Sequence, residues 1–284
     1  MQLRKTERKQ AKIKMALQGS AGSGKTYSSL LLAKGLVKDF SKVAIIDSEN
    51  GSSDLYAHLG SYNVISLQPP FSPEKYIEAI ELCEKEGMEV VILDSISHCW
   101  DYLLDFHSKL PGNSFTNWNK VTPRQKSFTD KILQTPMHVI ATMRTKQDYV
   151  LNQKNGKFIP EKVGLKAIQR DGVDYEFTIV FDVDIKHFAV SSKDRTGLFM
   201  DKPDFMISEA TGEKILEWCT SPMDIETLKT KIGICPSTKS LVTLYKENPY
   251  FQESLKDEFQ VRKEQLVQIS NPNNFSTNGV SSSQ

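Results

Sequence analysis

Eight consecutive residues, Gly19-Ser20-Ala21-Gly22-Ser23-Gly24-Lys25-Thr26, have the types and spacing to hold a phosphate chain. They fit G-x-x-x-x-G-K-[ST], the P-loop pattern, with a third glycine at Gly22. Glycine lets the backbone turn through positive φ and come close to an anion. Successive N–H groups then form a nest at the positive end of a helix. Lys25 is expected to reach the β- and γ-phosphates, and the Thr26 hydroxyl is a hard oxygen ligand for Mg²⁺. The plain alternative is a glycine-rich turn with an incidental lysine. The context argues against it, because Ile13–Gln18 reads as a buried strand before the loop and Ser28–Leu36 as a helix after it.

A phosphate loop needs a carboxylate on a nearby strand to hold Mg²⁺ through water. EVVILDS, Glu89–Ser95, is an apolar strand that stops at Asp94, which has the right type and position. Many such sites carry a glutamate directly after that aspartate to orient the attacking water, but here the place is Ser95. KVAIIDSENG, Lys42–Gly51, offers Glu49 instead, at the end of another strand.

The elements that must position these groups alternate along the chain. Asn63–Pro70 and Met137–Met143 read as further short strands. Ser72–Gly87 reads as a helix with an S-P-E start, and helical material fills the stretch to about Gln134, broken by the turn Pro111–Ser114. Apolar strands alternating with amphipathic helices predict an α/β fold, a mainly parallel central sheet flanked by helices on both faces. From Arg144 to Phe199 the texture becomes turn-rich. Lys154–Lys157 reads as a hairpin turn, and Tyr175–Val190 as antiparallel strands added to the sheet edge.

At 284 residues, 39% apolar and 25% charged, the chain has the composition of a globular domain with a small appendage. A net charge of +1 gives the whole molecule no pull on nucleic acid or acidic membranes, so any nucleic-acid site must be a local patch. Cys83, Cys99, Cys219 and Cys235 have no paired spacing and read as core residues of a reducing compartment. No apolar run approaches the ~20 residues needed to span a bilayer, so a cytoplasmic, non-membrane protein is expected. Residues 1–11 form a basic lead-in, either solvated or touching nucleic acid. The main domain is expected over 12–221, a small helical region over 222–269, and a polar disordered tail over 270–284.

One local patch stands out. Arg144–Arg170 holds Lys146, Lys154, Lys157, Lys162 and Lys166 against Asp148 and Glu161, interleaved with Tyr149 and Phe158. Cations that neutralise phosphates and rings on which bases stack suit a single-stranded nucleic acid, while a charged, solvated hairpin is the alternative.

In order and spacing, Gly19–Ser97 resembles the RecA family of P-loop ATPases. The resemblance implies a RecA-like P-loop NTPase fold with a β-hairpin extension, ATP and Mg²⁺ as cofactors, and Glu49 as the catalytic base. It also implies that Tyr56, in DLYAHLG, stacks on the adenine. Past Met137–Met143, where that family carries a sensor for the γ-phosphate, the chain reads ATMRTKQ, leaving Thr142 or Arg144 for that role. SSKDRTG, Ser191–Gly197, is similar to the K-x-R hairpin of DnaB-type replicative helicases. By that likeness Lys193 and Arg195 are fingers for a neighbouring subunit's ATP, and a solvated hairpin turn is the alternative. Over Lys12–Trp218 the chain is similar to phage and prophage AAA ATPases, some of which act in single-strand annealing or recombination. The implied partners are single-stranded DNA and further copies of the chain. A regulatory ATPase that reaches a protein partner through the C-terminal helices is the second reading.

Overall fold

The computed structural model describes residues 12–154, 157–220, 225–248, 251–252 and 254–270, with 147–164, 225 and 270 described by backbone alone. The basic lead-in, the tail from 271 and the side chains of the basic, aromatic stretch between 147 and 164 lie outside the described residues. The chain divides into two compact units, one within Gln10–Ser221 and one within Pro222–Gln284.

The larger unit alternates strand and helix. In chain order it contains β1 (Lys14–Gly19), α1 (Lys25–Leu36), β2 (Val43–Asp47), β3 (Asn63–Ser66), α2 (Pro73–Lys85), β4 (Val90–Asp94), α3 (Ser97–Ser108) and α4 (Ser114–Gln134). Then come β5 (His138–Lys154), β6 (Lys157–Ala167), β7 (Ile179–Val183), β8 (Phe188–Asp194), β9 (Phe205–Met206) and α5 (Glu209–Thr220). The strand order is β3-β2-β4-β5-β1-β7-β8-β9, with β6 paired to β5. From β3 to β7 every pairing is parallel, while β8 and β9 run antiparallel at one edge. This is a mainly parallel α/β sheet with an antiparallel edge.

Strands β2 and β4 are buried at every residue because helices cover both faces, which is why they read as unbroken apolar runs. On one face Met15, Leu17, Ile45 and Ile92 pack with Leu30 and Leu32 of α1 and Ile215 of α5. On the other, Ala16, Ile46 and Leu93 pack with Tyr76 and Ile80 of α2, Cys99 of α3 and Phe128 of α4. Helices α1 and α5 meet at two glycines. A Cβ on Gly35 would collide with the Glu209 carbonyl, and one on Gly212 with the Leu32 carbonyl.

One expectation is met in part. Within Tyr175–Val190, β7 and β8 pair antiparallel with each other as expected, but β7 itself runs parallel to β1, pairing Met15 with Ile179 and Gln18 with Asp182. Alternation in the sequence looks the same for either strand direction, which is set by where residues 168–178 return the chain. Strand β5 does two jobs. Its first half is parallel core; beyond Arg144 it leaves the sheet and forms a long antiparallel hairpin with β6, from Thr145 opposite Ala167 to Lys154 opposite Lys157.

The smaller unit has its own core. Leu228 and Ile232 of α6 (Ile225–Gly233), Leu241 of α7 (Thr238–Glu247), and Phe259 and Leu266 of α8 (Lys256–Ser270) pack together with Cys235 and Leu255. All four cysteines are buried. Among the described residues, no helix is long and apolar enough to cross a membrane.

Candidate active site

The chemistry-bearing residues gather at the carboxyl ends of β1, β2, β4 and β5, where open parallel sheets bind ligands. The P-loop bridges the end of β1 and the start of α1. Gly22 and Gly24 sit at φ 79° and 84°, in the left-handed region that side chains other than glycine rarely adopt. Lys25 Nζ donates to the carbonyls of Gly19 at 3.0 Å and Ser20 at 2.8 Å, so the ammonium lies folded over its own loop. Burial lowers the Lys25 pKa, opposed by the charges of Asp94 and Glu49. Carbonyl partners of this kind are exchangeable for phosphate oxygens. Ala21 and Gly22 are exposed, whereas Ser23 is buried.

Asp94 is buried at the end of β4. The Thr26 hydroxyl donates to one of its carboxylate oxygens at 2.6 Å, and the Thr142 hydroxyl to the other at 2.5 Å. Burial raises the Asp94 pKa and the two hydroxyls oppose that rise. Hydroxyl and carboxylate oxygens are a hard donor set of the kind Mg²⁺ takes, so Thr26, and Asp94 through water, would hold it.

The acidic end of β2 splits in two directions. Asp47 turns into the following loop and accepts from Glu49 N at 2.6 Å, Ser53 N at 2.9 Å and the Ser53 hydroxyl at 2.6 Å. Glu49 faces the site and is gripped by Arg144, whose Nε donates to Oε1 at 2.9 Å while Nη2 donates to Oε2. Such forked pairs are among the stronger charge-assisted bonds. The Glu49 hydrogen bonds raise the Arg144 pKa. His98 Nε2 stands 3.9 Å from Glu49 Oε1, and its Nδ1 is 2.8 Å from the Ser48 hydroxyl. Burial and then the Arg144 charge lower the His98 pKa. The Ser97 hydroxyl accepts from Arg144 N at 3.0 Å, tying β5 to the start of α3.

The two sensor candidates are thus distinguished by their partners. Thr142 is buried and its hydroxyl is committed to Asp94, while the Arg144 side chain is 41% exposed, with its guanidinium on the Glu49 carboxylate. Tyr56 lies in a 3₁₀ segment, Ser52–Leu59, with its ring 5.6 Å from that of Tyr27, the residue after Thr26.

Lys193 and Arg195 are not brought to this site. Lys193 pairs across β8 with Val180, level with Ala16, on the face that packs against α2 and α4 rather than α1. Its Nζ donates to the carbonyls of Asp174, at 2.9 Å, and Tyr175; Arg195 Nη2 also donates to Tyr175 O, at 3.1 Å. Lys193 lines a cleft of about 380 Å³ with Gln18, Lys166, Arg170 and Tyr175. Burial and the neighbouring Arg195 lower its pKa.

Sequence reasoning missed His98, Ser97 and the Thr142–Asp94 bond. Position within two to four residues of Asp94 was a usable signal for Ser97 and His98. No signal pointed to His187, 164 residues from the P-loop carbonyl it binds.

The carboxylate facing Thr26 comes from β4, which is separated from the P-loop strand by β5. A phosphate loop and a hydroxyl–carboxylate oxygen pair disposed this way on a parallel sheet define a P-loop NTPase. Residues 11–215 match the family model described as "AAA domain", and the chain belongs to that family of P-loop ATPases. No curated protein matches the chain. Among solved structures, it is similar to the KaiC-like protein PH0186 from the hyperthermophilic archaeon Pyrococcus horikoshii OT3, at 14% identity and a TM-score of 0.40 over 68% of this chain and 83% of that one.

Proposed function

We propose that the chain is a Mg²⁺-dependent RecA-like ATPase that binds single-stranded DNA and works as a ring or filament in phage-type recombination, annealing or replication. The observation that carries this reading is the Glu49–Arg144 pair beside Lys25, Thr26 and Asp94, on a strand that continues from Arg144 into the β5–β6 hairpin.

In this reading the triphosphate displaces Lys25 Nζ from the Gly19 and Ser20 carbonyls, and Tyr56 stacks on the adenine. Thr26, and Asp94 through water, would hold Mg²⁺, which would supply positive charge against the phosphate chain. Arg144 moves its guanidinium from Glu49 to the γ-phosphate and frees the carboxylate. Glu49 then orients a water and takes its proton as the water oxygen bonds to the γ-phosphorus and the bond to the β-phosphate oxygen breaks. The products are ADP and phosphate. Repacking at Arg144 is passed along β5 to the hairpin, whose basic and aromatic sequence suits a single strand. Lys193, level with Val180 three positions before the end of β7 and on the face away from α1, and Arg195, whose N donates to Thr178 O just before that strand, suit a neighbour's nucleotide better than their own. The separate three-helix core of residues 225–270 supports the second reading, docking of a protein partner.

The test is the ATPase rate and the sedimented mass, each with and without single-stranded DNA, at low and high salt. Stimulation and salt-sensitive binding are expected, with a larger assembly when ATP is present. A rate and a mass indifferent to the strand would remove DNA from the reading. Mixing Arg195→Ala with Lys25→Ala should restore part of the lost turnover, and no restoration would remove the fingers in trans.

A further inference from the structure

The turn between β7 and β8, Asp184–His187, lies against the P-loop. It touches the loop at the two glycines that take left-handed backbone. A Cβ on Gly22 would sit 3.5 Å from Ile185 Cδ1, and one on Gly24 only 3.0 Å from His187 Nδ1. His187 Nδ1 is 3.0 Å from the Ser23 carbonyl oxygen. A carbonyl only accepts, so Nδ1 carries the hydrogen and donates it.

His187 is one of three described non-glycine residues with positive φ, alongside Asn50 and Asp201. Its φ is 71°, in the region a β-branched or bulky residue avoids and glycine or asparagine occupies readily. The turn enforces that conformation. The Asp184 carboxylate accepts from Lys186 N at 2.8 Å and Phe188 N at 2.9 Å, while His187 N donates to Asp184 O at 3.0 Å. A strained residue over-determined by its surroundings and set against a ligand loop is a pointer to function.

The geometry points to His187 as a positioning residue for the phosphate cradle, an inference that rests on the ATP-binding reading above. In a trans peptide the carbonyl of one residue and the N–H of the next point in opposite directions. By holding the Ser23 carbonyl, His187 aims the Gly24 N–H away from the turn and into the nest, just before α1 begins at Lys25. The first N–H groups of a helix have no partner within it, so this one is available to phosphate. The ring packed over Gly24 also keeps that peptide from flipping. The imidazole touches neither substrate nor reacting atoms; it acts through the Ser23–Gly24 peptide.

Two substitutions separate the donor from the backbone. Asparagine carries Nδ2 as many bonds from Cβ as the histidine Nδ1, and it tolerates positive φ; glycine tolerates the same φ but carries no donor. ATP·Mg²⁺ binding to the full chain by titration calorimetry, with steady-state turnover and thermal unfolding alongside, provides the test. His187→Asn should bind within about threefold of the parent. His187→Gly should bind about tenfold or more weakly, as loss of one oriented charge-assisted bond gives. Its turnover at saturating ATP should be unchanged, because Glu49 and Asp94 are untouched. Equal binding by the parent and His187→Gly, or a lowered melting temperature with no loss of affinity, would overturn the inference, and so would His187→Asn binding as weakly as His187→Gly. A parent chain that binds no ATP would instead sink the ATP reading, and this one with it.

Discussion

Both ends of the central sheet bury titratable groups, but those groups touch different things. At the amino end, Lys14 Nζ donates to the carbonyls of Thr135 at 2.8 Å and Met137 at 2.5 Å, and His138 Nδ1 accepts from Ile13 N at 3.1 Å. Every one of those partners is backbone, fixed by the fold. At the carboxyl end, Asp94 is held by the Thr26 and Thr142 hydroxyls and Glu49 by the Arg144 guanidinium. Those partners are side chains that can turn elsewhere. Lys14 and His138, bonded to backbone groups inside the sheet, complete the architecture. Asp94 and Glu49, bonded to side chains, are prepared to trade partners with a ligand, as is Lys25 over the carbonyls of its own loop, and burial alone does not separate the two cases.

The sharpest way to break that distinction is to neutralise the carboxyl-end acids without changing their shape. Asp94→Asn should lower turnover by about 10³-fold, the scale of losing a principal electrostatic group at a phosphoryl-transfer site. It should not lower the melting temperature, because the fold disfavours the charge that the substitution removes. Glu49→Gln should lower turnover by about 10² to 10⁴ while leaving ATP binding intact, as expected for a base that acts only in the chemical step. Single-turnover rates, nucleotide titration and thermal unfolding measured on both variants check this. A melting temperature that falls in step with activity would make Asp94 as architectural as Lys14.

How much of this arrangement could be read from the sequence follows the same division. The P-loop is contiguous, and Asp94 and Glu49 each end a recognisable strand, so local pattern was enough to find them. Their partners are remote: Arg144 is 95 residues from Glu49, and Thr142 is 48 from Asp94. Both lie on β5, whose position between β4 and β1 is a property of the whole sheet. Thr142 and Arg144 were named through the likeness to the RecA family, but only the fold distinguishes a hydroxyl that supports Asp94 from a guanidinium that covers Glu49. That β7 runs antiparallel to β8 but parallel to β1 was not legible for a related reason, since a period of two carries no sense of direction. The amino-end pair left no signal. Lys14 and His138 look like polar interruptions in apolar strands until the backbone groups around them are counted.

A smaller effect sharpens the comparison within the carboxyl end. Thr142→Val keeps the shape and burial of the side chain but leaves one Asp94 oxygen without its donor. Groups that orient a metal's ligands typically change metal affinity by about 10- to 100-fold. The Mg²⁺ concentration for half-maximal turnover should therefore rise by about tenfold or more in Thr142→Val and return toward the parent value in Thr142→Ser. If the magnesium requirement does not move, Thr142 belongs with the backbone-type supports.

The smallest effect belongs to the amino end, where stability should respond and activity should not. Burial, with the charges of Lys12 and Lys14 added, lowers the His138 pKa to about 3. Glu89 lines the same cleft. Because Nδ1 accepts from Ile13 N, a proton there would break the bond as well as charge a buried ring. The folded-state value lies below the ordinary 6.5, so the stabilisation from neutral His138 is complete above pH 6.5 and is lost as the pH falls from there toward 3. Between pH 7 and 5 the loss is about 2 kcal/mol, from 1.36 kcal/mol per unit. His138→Asn offers Oδ1 as an acceptor for Ile13 N and does not titrate. Urea unfolding across pH 7 to 5 should show the parent losing about 2 kcal/mol more than this variant, with ATP turnover at pH 7.5 the same in both. Parallel curves would mean that the amino-end histidine is not held neutral by the fold. A change in turnover would mean that the two ends of the sheet are not separate in function.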